Sequence, residues 1–200
     1  MSEFSDSYHL RGCTLQDGAA LLKRAGLHAF LFEPENGWLA VLPQGEPFEL
    51  NQALLAASAP FLGLHFFFAE DHGWGFHVFQ NESVLWRYEV DWNAGLRYPH
   101  PCQLGALHAL APTRAHPELQ ALADALSTSN LEQALGDANA EAFAEAVGIT
   151  HYRWLSYYGA VDDYDDPANA TAPVVRCEPQ TPWDTAVPFM VNPHAPDTSE

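Results

Sequence analysis

Residues 61–92 read FLGLHFFFAEDHGWGFHVFQNESVLWRYEVDW, and they carry the clearest structural pattern in the chain. The stretch holds 10 of the 25 aromatic residues and is broken by Asp71-His72-Gly73 and by Asn81-Glu82, residue types that favour turns. The spacing predicts a three-strand antiparallel meander. In its last strand Val84, Trp86, Tyr88, Val90 and Trp92 fall on one face and Leu85, Arg87, Glu89 and Asp91 on the other, so one face is expected to be buried. The first strand, 64–69, is apolar on both faces, which places it centrally beneath a covering layer. If the hairpin turns about residue 72, His77 stands almost opposite Phe67, with His65 on the same face one pair further along.

Upstream, Thr14-x-x-Asp17 has the form of a capping box, and Leu15, Ala19, Leu22 and Leu27 follow near helical spacing, predicting a helix over 14–26. Short apolar runs at 28–32 and 37–42 flank Pro34-Glu35-Asn36-Gly37, whose Asn-Gly suits a tight hairpin turn. Leu50, Leu54 and Ala57 predict a second helix over 49–57, stopped by Pro60. Downstream of Pro99-His100-Pro101 the composition turns to Ala and Leu, with helical periodicity over 104–110, 117–126, 131–135 and 138–147. From Gly159 to Glu200, seven of the 15 prolines and eight acids fall in 42 residues, the composition of an extended tail, partly wrapped or disordered.

Strands first and helices later give an α+β fold: an antiparallel sheet of hairpin plus aromatic meander covered by helices, then a helical segment, then an extended acidic Pro-rich tail. The expected organisation is a single domain over 1–158, sheet-rich over 1–98 and helical over 103–150, with 159–200 as the tail. Neither an internal repeat nor a G-x-G-x-x-G fingerprint is present.

Charge narrows the function. Eight basic residues stand against 26 acidic ones, a net charge of -18, and Lys23 is the single lysine. It lies in a helical pattern without a glycine-rich phosphate cradle, which excludes P-loop, kinase and Schiff-base chemistry. So acidic a surface repels phosphate backbones, and direct nucleic-acid binding is not expected, whereas a basic protein partner is. The start of the chain lacks a basic region followed by an apolar one, and no run of about 18 apolar residues occurs, so a soluble cytoplasmic protein with no membrane attachment is expected. Cys13, Cys102 and Cys177 are far apart and odd in number, which suits reduced thiols.

Three constellations could carry function. His65, Asp71, His72 and His77, with Glu70 beside them, could ligate a metal, although no H-E-x-x-H or C-x-x-C is present and Asp71-His72 equally suits a plain turn. Arg87, Glu89 and Asp91 form either an acid/base face or a charged edge that blocks further strand pairing. Trp154, Tyr157 and Tyr158 precede Asp162, Asp163, Tyr164, Asp165 and Asp166, joining rigid aromatic contact area to charge that orients a basic partner. That segment departs from an EF-hand loop in its missing sixth-position glycine and in Pro167. Cys102, two residues after His100, is the only thiol with a base nearby in sequence, and no G-x-S-x-G elbow occurs. No catalytic residue and no cofactor are assigned.

The layout, a small acidic α+β domain with an aromatic meander and no catalytic signature, is similar in general appearance to bacterial immunity and inhibitor proteins. The resemblance implies a non-catalytic interaction or inhibitor protein. The alternatives are a metal-dependent hydrolase built on the meander histidines, and a structural subunit that would show a large exposed apolar patch.

Overall fold

The computed structural model describes residues 4–91, 93, 95–96, 104–111, 114–127, 130–135, 137–153, 155–165, 172–177 and 188–191. The chain runs β1 (Phe4–Arg11), α1 (Leu15–Ala25), β2 (Ala29–Phe32), β3 (Trp38–Pro43), α2 (Gln52–Ala57), β4 (Gly63–Ala69), β5 (Gly73–Gln80), β6 (Ser83–Asp91) and β7 (Gly95–Leu96). It continues through α3 (Leu104–Leu110), α4 (His116–Leu126), α5 (Leu131–Ala134), α6 (Asp137–Val147), α7 (Tyr157–Asp165), β8 (Ala172–Cys177) and β9 (Pro188–Val191). The strands form one antiparallel sheet in the order β7-β6-β5-β4-β1-β3-β2-β8-β9. This is an α+β fold, with the hairpin β2–β3 and the meander β4–β6 where the sequence places them.

The two halves are joined by β1, a strand the hydrophobic pattern does not announce. It pairs with β3 from Tyr8↔Val41 to Arg11↔Trp38 and with β4 from Phe4↔Ala69 to Leu10↔Gly63. Its burial explains the silence of the pattern: Ser5, Ser7 and His9 are as fully buried as Leu10. A strand whose interior face is small and polar reads as a loop when apolar alternation is the criterion.

The meander register differs by two residues from the expected one. His65 pairs with His77, and Phe67 with Gly75. The turn occupies 70–72 and closes on Ala69↔Gly73, where Gly73 adopts φ +126° and the His72 N–H donates to the Ala69 carbonyl at 2.9 Å. A Cβ on Gly75 would lie 2.5 Å from the Phe67 ring, so the glycine makes room for the aromatic opposite it. A bulge between Val78 and Phe79 pairs Val78 with Trp86 but Phe79 with Val84. Val84 therefore leaves the face of Trp86 and packs with Leu10 and Phe79, a correction to the single face read from alternation. Trp92 lies outside the described residues.

Helices cover both faces. On one, Phe66, Trp74, Phe76, Trp86 and Tyr88 meet Leu107 and Leu110 of α3, Leu119 and Leu126 of α4 and Phe143 of α6. Phe143 stacks on Phe76 with centroids 4.0 Å apart and planes at 5°. Two tryptophans pin the helical layer, Trp74 Nε1–H donating to the Ala134 carbonyl and Trp38 Nε1–H to that of Val147, both at 2.9 Å. On the other face Leu21 and Leu22 of α1 and Leu54 and Leu55 of α2 close over Tyr8, Leu31, Leu39, Val41 and Phe79. The Thr14–Asp17 capping box forms as predicted, and α1 lies so near β3 that a Cβ on Gly18 would come within 2.5 Å of Leu39.

The segment read as an aromatic run entering an acidic loop is instead partly helical. α7 spans Tyr157–Asp165 and sets Ala160, with Leu155 just before it, against Phe30, Phe32, Ala40 and Leu42. Beyond it, β8 pairs with β2 and β9 with β8, so parts of the tail extend the sheet. Among the described residues no helix is long and apolar enough to cross a membrane. The large apolar side chains left exposed among them are Leu85 and Tyr158.

Candidate functional site

Pro43 ends β3 opposite the middle of β1, because the pairing stops at Tyr8↔Val41 and the chain leaves the sheet through Gly45 and Pro47. The edge of β1 from Phe4 to Asp6 is thereby left open on that side. It is filled by other segments: the Asp6 N–H donates to the Leu155 carbonyl at 2.7 Å, and residues 44–51 fold back over the strand.

The Asp6 side chain organises this region. Its Oδ2 accepts the Phe48 N–H at 2.6 Å, and its Oδ1 accepts from His65 Nε2 at 2.9 Å. Phe48 is held at φ +66°, a left-handed conformation costly for a bulky residue, and its ring lies 4.9 Å from Phe4 and 5.7 Å from Phe67. Tyr8, next on the same face of β1, stacks on His65 at 4.2 Å and 7°. Its hydroxyl donates to the Glu49 carbonyl at 3.0 Å and accepts the Asn51 N–H at 2.8 Å. Asp6 and Tyr8 thus clamp residues 48–51 from below.

Behind the clamp a polar chain crosses the sheet. His65 is fully buried, and its Nδ1 lies 3.1 Å from Nδ1 of His77, so one nitrogen carries hydrogen and the other accepts. Burial first, then the neighbouring His65 and Arg87, holds the His77 pKa down to about 3, so this imidazole is neutral at physiological pH. Burial, with the Asp6 carboxylate second, pushes the Tyr8 phenol well above its ordinary value, keeping it a hydroxyl that can both donate and accept. Asp6, His65 and His77 form a continuous donor–acceptor line from β1 to β5.

Where Asp6 meets the surface, a cleft opens between β1, the 43–51 segment and the start of α7. Phe4, Asp6, Tyr8, Glu46, Glu49, Asn51, Ser156, Tyr157 and Tyr158 line it, and it is open to solvent.

The sequence-predicted candidates separate in space. His65 and His77 meet, whereas Asp71 and His72 stand exposed in the turn at the far end of β4. Among the described residues no group of three or more His, Cys, Asp or Glu could hold a metal ion. Of the partner-binding set, Tyr157 is half-buried and Tyr158 exposed, both beside the cleft. Asp162, Asp163, Tyr164 and Asp165 lie on the backbone of α7, with side chains outside the described residues, as are Trp154 and Asp166 altogether. Arg87 projects from the exposed face of β6 with Glu89 and Asp91 half-buried beside it on the same strand. Cys13 is buried, and burial, with Asp17 second, pushes its thiol up to about 12; Cys102 lies outside the described residues.

Asp6, Tyr8, Glu46 and Glu49 escaped the sequence reading. The available signal was the alternation of Phe4, Asp6, Tyr8 and Leu10, which puts a carboxylate and a phenol on one face of a strand. Compared with protein-family models, curated proteins and solved structures, the chain matches none.

Proposed function

We propose that the protein is a non-catalytic acidic interaction or inhibitor protein that engages a basic protein partner. The observation that carries this reading is how the cationic side chains are used. Arg11 donates to the Leu110 carbonyl, Arg24 to that of Ala57, and Arg114 to those of Ala146 and Glu145. In these bonds the three guanidinium groups meet main-chain oxygens rather than carboxylates, so they secure the fold without neutralising an acidic side chain there. Arg153 pairs with Glu141, a solvent-exposed bridge of small worth. With a net charge of -18, such a surface draws a basic partner in by long-range attraction and orients it on approach.

The segment proposed for contact is the one the sequence singled out, Trp154, Tyr157, Tyr158, Asp162, Asp163, Tyr164, Asp165 and Asp166, of which Tyr157 and Tyr158 line the same cleft as Glu46 and Glu49. Tyr158, 53% exposed, supplies the aromatic anchor. The test is capture of partners from native extract at low and high salt, followed by kinetics with the purified partner. A basic protein whose association slows steeply as salt rises is the expected result. Retention of no protein, or of one whose association rate ignores salt, would remove the reading.

A further inference from the structure

Each end of a sheet has to be stopped, because an open strand edge is a template for pairing with another chain. At one end β7 is two residues long, and β6 beside it carries Arg87, Glu89 and Asp91. At the other end the strand that needs stopping is β2. Its residues Ala29, Phe30, Leu31 and Phe32 include no charge and no proline, and all four are fully buried. Leu21 and Leu22 of α1 cluster with Leu31 on one face, and Ala160 of α7 with Phe30 and Phe32 on the other. The edge itself is closed by β8, from Ala29↔Cys177 to Phe32↔Val174.

The tail exchanges one kind of edge for another. β8 contains Pro173, and β9 is a strand of four residues that starts at Pro188. Proline cannot donate to a ladder, so the sheet ends on short, proline-bearing strands rather than on an apolar one.

The order of residues in β2 says what its edge fits besides β8. Two copies of one strand pair antiparallel about a two-fold axis normal to the sheet, which sets directly opposite residues on the same face. Phe30-Leu31-Phe32 is a palindrome about Leu31. An axis at Leu31 therefore sets Leu31 opposite itself and Phe30 opposite Phe32 of the second copy, apolar and aromatic cross-strand pairs that stabilise a sheet. In that register Glu33 falls opposite Ala29 and not opposite another carboxylate.

We propose that β8 and β9 form an internal guard over the β2 edge, and that this edge, once uncovered, joins the β2 edge of a second copy in one continuous sheet. The guarded chain is the monomer and the uncovered chain a two-fold dimer. Salt acts on this dimer in the opposite sense to association with a basic partner, because two chains of net charge -18 repel until they are screened.

The experiment uses the full chain with Val174→Pro combined with Val175→Pro. Adjacent residues of a strand send their N–H groups to opposite sides, so one of the two substitutions removes a donor to β2 whichever way β8 is set. Sedimentation from micromolar to millimolar concentration should show the parent chain as a monomer and the variant as a monomer–dimer equilibrium, about tenfold tighter at moderate than at low salt. Hydrogen exchange at residues 29–32 should be slow in the dimer and fast after dilution. Adding Leu31→Cys to the variant should let oxidation link residue 31 of one chain to residue 31 of the other, since the axis sets them face to face. A variant that stays monomeric, that assembles without limit, or whose introduced thiols do not link would overturn the proposal. Protection retained in β4 and β5 shows that the rest of the sheet holds in the variant. If that protection is lost, Ala29→Cys in the otherwise unchanged chain decides: position 29 pairs with the native Cys177, so a disulfide closing within one chain supports the guard and its absence overturns it.

Discussion

Glu82 and the pair His9 and His77 show how single residues set the stability of this protein. Asn81 and Glu82 form the two-residue turn between β5 and β6 with φ of 50° and 63°. Asn tolerates this region, but Glu has no local means to offset it. Glu82→Gly should therefore stabilise the protein by about 0.5–1 kcal/mol in urea unfolding, and a loss of stability would show that the Glu82 side chain makes a compensating contact. The two histidines act through pH. Burial leads the causes that lower both pKa values from 6.5 to about 3, with charged neighbours second. Below pH 6.5 the unfolded chain takes up protons that the folded chain refuses until about pH 3. The stability from their neutral burial is complete above that window and is lost progressively as pH falls through it. Denaturant unfolding measured at several pH values should show this slope, shallower in His77→Gln; equal slopes would mean that folding does not shift the His77 pKa.

Among the elements, β6 and α1 were legible because apolar alternation, helical spacing and a capping box each point to one structure. The hairpin turn was legible because Asn36 and Gly37 reach φ of 51° and 81°, the conformation their types favour. β1 was not, since Ser5, Ser7 and His9 are buried by their position between β4 and β3 and not by their own hydrophobicity. The candidate site shared that fate. His65 and His77 could be placed on one hairpin, but Asp6 and Tyr8 reach them only through strand order, which local pattern does not encode. Helix attachment gives a prediction at this scale. Phe143 on α6 is fully buried against Phe76 and Phe66, so Phe143→Ala should cost about 3–5 kcal/mol. The loss should concentrate in α4 and α6, which contact each other, and hydrogen exchange faster there than in α1 would show it. Uniform acceleration would mean that the helices and the sheet unfold as one unit.

At the scale of the whole molecule, charge and topology pull in different directions. A net charge of -18 strains the compact state by self-repulsion, and moderate salt relieves it. The isolated protein should therefore gain thermal stability between low and moderate salt, over the same range in which the proposed association with a basic partner should slow. Opposite movement of the melting temperature would indicate that specific ion pairs outweigh the overall repulsion. Topology has its own effect, through time. β1, which joins the two halves of the sheet, precedes both of its partners in sequence, and they begin only at Trp38 and Gly63. The hairpin and the meander form from neighbours in sequence, whereas their union waits for β1 to slot between them, a long-range step that sets the pace of folding. Until then the facing edges of β3 and β4 are unpaired in the nascent chain, and they are the edges at which a second copy could insert its own first strand.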